Sequence, residues 1–176
     1  MMKEYEFTLK FMLQDASIDP ASYIERLGDE GCDDALVGIG QTGRIALTFI
    51  RAATSAYKAI SSAIRDVKRA IPEARLIEAT PDLVGLTDVA ELLGFSRQNM
   101  RKLMLAGGGT FPAPRHDGKP AIWHLVKVLT WLKERNKYQI DDRLLEVSGI
   151  NMQLNIVKEI SEVDPDLRDD MRALVA

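Results

Sequence analysis

Cysteine, histidine and long apolar runs are scarce in this sequence, and each shortage removes a class of function. Cys32 is the only cysteine, which excludes an intrachain disulfide and a cysteine-rich zinc cluster, while His116 and His124 alone make a poor metal set. Neither histidine lies near Cys32 in the chain, so the thiol reads as a small apolar residue near a strand start rather than a nucleophile. No apolar run approaches the roughly 20 residues of a membrane span. The start, Met1 to Tyr5, passes into a strand-like pattern without a signal-peptide core. A cytoplasmic location and no membrane partner are therefore expected. No carboxylate pair, metal set or nucleophile-base spacing emerges, so the chain reads as a non-enzyme with no cofactor. What is present is 46% hydrophobic residues over 176 positions, enough for one sizeable core or two modest ones.

The first of these lies in residues 1–82. Tyr5, Phe7, Leu9, Phe11 and Leu13 alternate with Glu6, Thr8, Lys10 and Met12, the period-2 pattern of a strand with one buried face. Because the aromatics share that face, they read as core and not as an RNA-stacking platform. Asp19 and Pro20 then cap and open a helix whose inner side is Tyr23, Ile24 and Leu27, ending at Gly28. Ala35 to Ile39 and Ile45 to Ile50 predict two strands around a tight turn at residues 40–43. Gly38, Gly40 and Gly43 have a GxGxxG spacing, but between strands it signals a hairpin, not a dinucleotide site. Tyr57, Ile60, Ala63, Ile64 and Val67 predict a helix from Thr54 to Ala70, stopped by Pro72 before a last strand over Arg75 to Ala79. The order strand, helix, strand, strand, helix, strand predicts a ferredoxin-like β-α-β-β-α-β sandwich, and such a layout by itself selects no function.

The functional signal lies in residues 83–137. Thr87 to Leu103 reads as two short helices joined at Gly94, the appearance of a helix-turn-helix. Thr87 is the expected cap of the first helix, whose apolar face is Val89, Ala90 and Leu93; Ser96 caps the second. Met100, Leu103 and Met104 give the second helix a buried side, leaving Arg97, Gln98, Arg101 and Lys102 with chemistry suited to phosphates and base edges. Thr110 to Trp123 is too rich in proline and glycine for helix and predicts a small hairpin, or wing, around Asp117-Gly118. His124 to Arg135 returns to helical spacing, with Leu125, Val128, Leu129, Leu132 and Trp131 packing the pair. Trp123 and Trp131 read as core.

These residues resemble a known family. Gly94-Phe95-Ser96-Arg97, then Phe111-Pro112-Ala113-Pro114, then Trp123, Val128 and Trp131 look like the AlpA-like prophage regulators and excisionase proteins, a compact branch of the MerR-like winged helix-turn-helix group. The resemblance spans roughly fifty residues by eye, and its combined order is more specific than any single motif. It departs from the family in the Gly107-Gly108-Gly109 run before the wing and in the large segments on either side. The resemblance implies a recognition helix from Ser96 to about Leu105 in the major groove, with the wing near Arg115 to Lys119 on backbone or minor groove. The candidate DNA contacts are accordingly Arg97, Gln98, Asn99, Arg101 and Lys102 from the helix and Arg115, His116 and Lys119 from the wing. Ser96 both caps the helix and can donate to a phosphate.

Charge selects the same segment. The chain carries a net −3, yet residues 85–137 hold nine Lys/Arg against four Asp/Glu, whereas residues 1–84 net −3 and residues 138–176 net −5. In that last segment Leu144, Leu145, Val147, Ile150, Leu154, Val157 and Ile160 predict one helix over 140–163, with a break expected near Ser148-Gly149. Asp164 and Pro165 open a second, with Leu167, Met171 and Leu174 as its apolar side. Such a helical tail can pair with its copy in a homodimer or fold back on the N-terminal domain. The expected chain is thus α+β, in three parts: 1–82, 83–137 and 138–176. Its expected function is sequence-specific binding of double-stranded DNA, as a transcriptional regulator or excisionase-like factor. The alternative is a protein-interaction or oligomerisation component of a phage-defence or toxin-antitoxin system.

Overall fold

The computed structural model describes residues 1–15, 17–135 and 138–175. The expected boundary at 137/138 and the charge of Lys137 fall at or within residues outside that description. Strand β1 (Lys3–Met12) occupies the middle of a four-stranded antiparallel sheet. It pairs with β3 (Arg44–Ala53) on one side and β4 (Arg75–Thr80) on the other, and β2 (Ala35–Gly38) adds to β3, giving the order β2-β3-β1-β4. The alternation in β1 is realised: Tyr5, Phe7, Leu9 and Phe11 are buried. Each such side chain contributes about 1.5–3 kcal/mol by leaving water. Phe7 lies opposite Phe49, their rings stacked with centroids 5.3 Å apart.

The two expected N-terminal helices differ in regularity. Asp19 does cap, accepting the Ala21 N–H at 2.9 Å, but the segment is a 3-10 turn (Pro20–Tyr23), a single α-turn α1 (Ile24–Leu27) and a wide turn broken at Gly31, where φ is +99°. Ile24, expected on the inner side, is exposed. Helix α2 (Ala56–Ala70) is regular and capped by Ser55. Its buried strip is Ala56, Ala59, Ile60, Ala63, Val67 and Ala70; Tyr57, expected on that strip, is 63% exposed. The alanines let α2 sit close to the sheet, which leaves the large residue at the strip's margin outside the contact.

A second core forms around the central segment. Two short strands, β5 (Leu83–Val84) and β6 (Trp123–His124), pair antiparallel and bracket α3 (Leu86–Leu93), α4 (Arg97–Gly107) and the loop after it; α5 (Leu125–Glu134) follows directly. Val89, Ala90, Met100, Leu125, Val128, Leu129 and Leu132 are buried together with both tryptophans. Helix α3 starts earlier than Thr87 implies. Gly85 is its cap, and its N–H donates back to the Asp88 carboxylate at 2.7 Å, while Thr87 lies inside the first turn and is not the cap.

Helix α6 (Asp142–Ile160) belongs to both cores. Leu144 and Leu145 pack against the central one, while Val147, Ile150 and Leu154 pack against the sheet beside α2. The helix runs through Ser148-Gly149 without a break. Ser148 is fully buried with its hydroxyl donating to the Leu145 carbonyl, and a Cβ on Gly149 would meet Val126 of α5 at an ordinary 3.6 Å, so both small residues continue the helix inside packed surroundings instead of ending it. Val157 and Ile160, expected on the apolar side, are exposed, and their places on the buried face are taken by Asn151 and Asn155. Helix α7 (Pro165–Val175) buries none of its described residues. No helix among the described residues is long and apolar enough to cross a membrane.

Candidate nucleic-acid interface

Helix α4 presents its charged side outward because its apolar side is used. Met100 is fully buried, Leu103 and Met104 are half-buried, and Ser96, Arg97, Gln98, Asn99, Arg101 and Lys102 are all exposed. The turn into α4 is set by Gly94, whose φ of +67° suits glycine, and by Ser96, whose Oγ accepts the Asn99 N–H at 3.1 Å. At the other end Gly107 is required by packing: a Cβ there would come within 2.6 Å of Trp131 Cζ2. Phe111 fits edge-on against both Trp123 and Trp131, and the Trp123 indole N–H donates to the Pro112 carbonyl at 2.9 Å. These contacts carry the chain away from α4 and hold the following loop beside it.

The expected hairpin in that loop is reduced to one bridge. His116 and Ile122 exchange backbone hydrogen bonds, and the Arg115 N–H also donates to the Ile122 carbonyl at 2.7 Å. Arg115, His116 and Lys119 are exposed at or near the tip. The His116 ring lies over Gly118, where a Cβ would come 2.2 Å from its Nε2. Between α4 and the loop runs a cleft of about 1030 Å³, and Arg97, Arg101 and Lys119 share its lining. Gln98, Asn99, Lys102, Arg115 and His116 lie outside that lining.

The cations of the segment fall into two groups. Arg115 approaches Glu159 of α6 at 3.6 Å, Lys133 pairs with Asp142 at 2.6 Å, and Arg135 stacks on the Trp131 ring while donating to Thr110 Oγ1. Arg97, Arg101, Lys102, Lys119 and Lys127 make no salt bridge among the described residues. An exposed arginine without a carboxylate partner keeps its five donors for a ligand.

Two buried polar constellations, one beside the site and one in the N-terminal unit, were not visible in the sequence. Asp82, whose side chain is fully buried, lies 2.8 Å from His124 Nδ1 and accepts from Asn155 Nδ2 at 2.8 Å. The same Asn155 amide also donates to the Ala79 carbonyl and accepts the Ala79 N–H, both at 2.9 Å. Lys158 donates to the Ile77 carbonyl and Asn151 to that of Pro81, so α6 caps the outer edge of β4 and fixes the start of α5 with one row of side chains. Sequence separations of 42 and 73 residues give such a cluster no local signature. The second constellation is Arg51, buried over the Phe49 ring and held by Asp34 at 2.7 and 2.8 Å and by Asp66 at 2.5 Å. Burial opposes its charge, but the hydrogen bonds and charges of Asp34 and Asp66 outweigh it and raise its pKa. Nearby, burial and then the Asp66 charge push the Cys32 thiol up to about 11.

Comparison of the chain with family models, with curated proteins and with solved structures yields no match in any of the three. Among the described residues no group of three or more His, Cys, Asp or Glu side chains is placed to hold a metal ion.

Proposed function

We propose that this chain binds double-stranded DNA in a sequence-specific manner, as a transcriptional regulator or excisionase-like factor. The carrying observation is the exposed side of α4, where Arg97, Arg101 and Lys102 have no salt-bridge partner among the described residues and the first two share the lining of one cleft with Lys119. In this reading α3 and α4 form a helix-turn-helix, the 115–122 loop is its wing, and the central segment is an AlpA-like winged domain. The N-terminal unit is a ferredoxin-like sandwich, a reading supported by its element order and by the strand order β2-β3-β1-β4. Arg97, Gln98, Asn99 and Arg101 reach base edges; Ser96, Lys102, His116 and Lys119 hold phosphates. Arg115 takes part by exchanging Glu159 for a phosphate, a small expense for a half-exposed pair.

A selected duplex and a random one, titrated at several salt concentrations, test this reading. Affinity should fall about tenfold or more between low and physiological salt as phosphate contacts release counterions. Arg97→Ala should weaken the selected duplex by about 1–3 kcal/mol more than the random one, while Lys119→Ala should weaken both alike. A flat salt response with no preference for the selected duplex over the random one would transfer the assignment to the protein-interaction reading. The open sheet face favours that alternative, since Leu36 and Ile50 stand exposed there.

A further inference from the structure

Helix α7 is the one α-helix among those described that buries none of its residues, and four of its charges are segregated by sign on either side of an apolar strip. Leu167, Met171 and Leu174 fall at i, i+4 and i+7, a single apolar strip, and they are 46%, 49% and 84% exposed. At 100° per residue, Arg168 and Arg172 lie along one flank of that strip and Asp166 and Asp170 along the other. Both flanks place like charges at i, i+4, which destabilises a lone helix. None of these four residues has a salt-bridge partner among the described residues.

We infer that α7 pairs in parallel with α7 of a second copy of this chain. The charge pattern selects both the occupant and the direction. A two-fold axis running along the helices sets the acidic flank of each copy against the basic flank of the other, twice over. In the antiparallel arrangement the symmetry sets each flank against itself, Arg against Arg and Asp against Asp. The parallel pair therefore covers the apolar strip and resolves both like-charge rows, as flanking charges do in parallel coiled coils. The inference stands apart from the DNA reading, because the pairing involves no residue of α4 or its loop.

Sedimentation of the full chain without nucleic acid, over roughly the micromolar to hundred-micromolar range typical of weak helical pairing, tests it. The natural chain should dimerise. Asp166→Arg with Asp170→Arg makes both flanks basic, and Arg168→Asp with Arg172→Asp makes both acidic; each variant alone should dimerise at least about tenfold more weakly, because like charges then face one another. An equimolar mixture of the two should recover dimers containing one copy of each. Direction is read by oxidation: Leu167→Cys and Leu174→Cys should each cross-link to themselves, and buried Cys32 stays out of the reaction. A natural chain that remains monomeric over the whole range overturns the pairing, as do charge variants that dimerise unchanged. Cross-linking only when Leu167→Cys and Leu174→Cys are mixed overturns the parallel direction.

Discussion

Replacing Asn155 with leucine keeps the branched shape of the side chain but removes the amide that joins the two cores. The amide makes three hydrogen bonds to buried groups, the Ala79 N–H, the Ala79 carbonyl and Asp82 Oδ2. Each group left without a partner costs about 1–3 kcal/mol, with the charged acceptor at the upper end. Asp82 keeps His124 as a partner, so the expected loss is about 3–5 kcal/mol, a large share of the roughly 5–15 kcal/mol that holds a domain folded. Urea unfolding can be followed at once by far-ultraviolet circular dichroism and by tryptophan fluorescence, because Trp123 and Trp131, the only tryptophans, both sit in the central core. The natural chain should give coincident curves. Asn155→Leu should lower the midpoint and pull the curves apart, as the central core loses its connection to the sheet. The control is Val157→Ala on the exposed side of the same helix, expected to change stability by no more than about 0.5 kcal/mol. A loss below about 1 kcal/mol for Asn155→Leu, with coincident curves, would refute the idea that this amide holds the joint.

Three further outcomes follow from buried and paired charges. Asp66→Ala leaves Arg51 buried with half its compensation, so chemical denaturation should show a loss of about 3–5 kcal/mol, and replacing Arg51, Asp34 and Asp66 together by apolar residues should cost less than that single change. With its thiol pushed up to about 11, Cys32 should react with iodoacetamide at pH 8 on the order of a hundredfold more slowly than an ordinary cysteine, and should recover the ordinary rate in urea. Glu146 is held below the usual carboxylate range, first by the Tyr5 hydroxyl and then by Lys3. Its folded pKa is depressed, so its contribution is complete above the unfolded value of about 4.3 and fades as pH falls through the lower folded value. Urea midpoints of the natural chain and Glu146→Gln should therefore differ above about pH 5 and converge on acidification below pH 4; a gap that stays constant to pH 3 would contradict the assignment.

What the sequence determined by itself were features whose cause is local. The buried row Tyr5, Phe7, Leu9 and Phe11, the Ser96 cap, the Gly94 turn and the outward row from Arg97 to Lys102 all follow from periodicity and from residues that act on their immediate neighbours. The same local rules misplaced Ile24, Tyr57, Val157 and Ile160, because an apolar strip specifies that a helix has an inner side without fixing which marginal residue the neighbouring element covers. Ser148-Gly149 looked like an interruption for a related reason. Small residues weaken a helix in isolation without ending one that is packed on its neighbours. The tertiary structure alone decided that α6 serves both cores, that Asn155 closes the edge of β4 over Asp82 and His124, and that Arg51 is neutralised by carboxylates from two other parts of the chain. Those groups are brought together by the fold from positions up to 76 residues apart, and their energetics depend on burial, which no local pattern specifies.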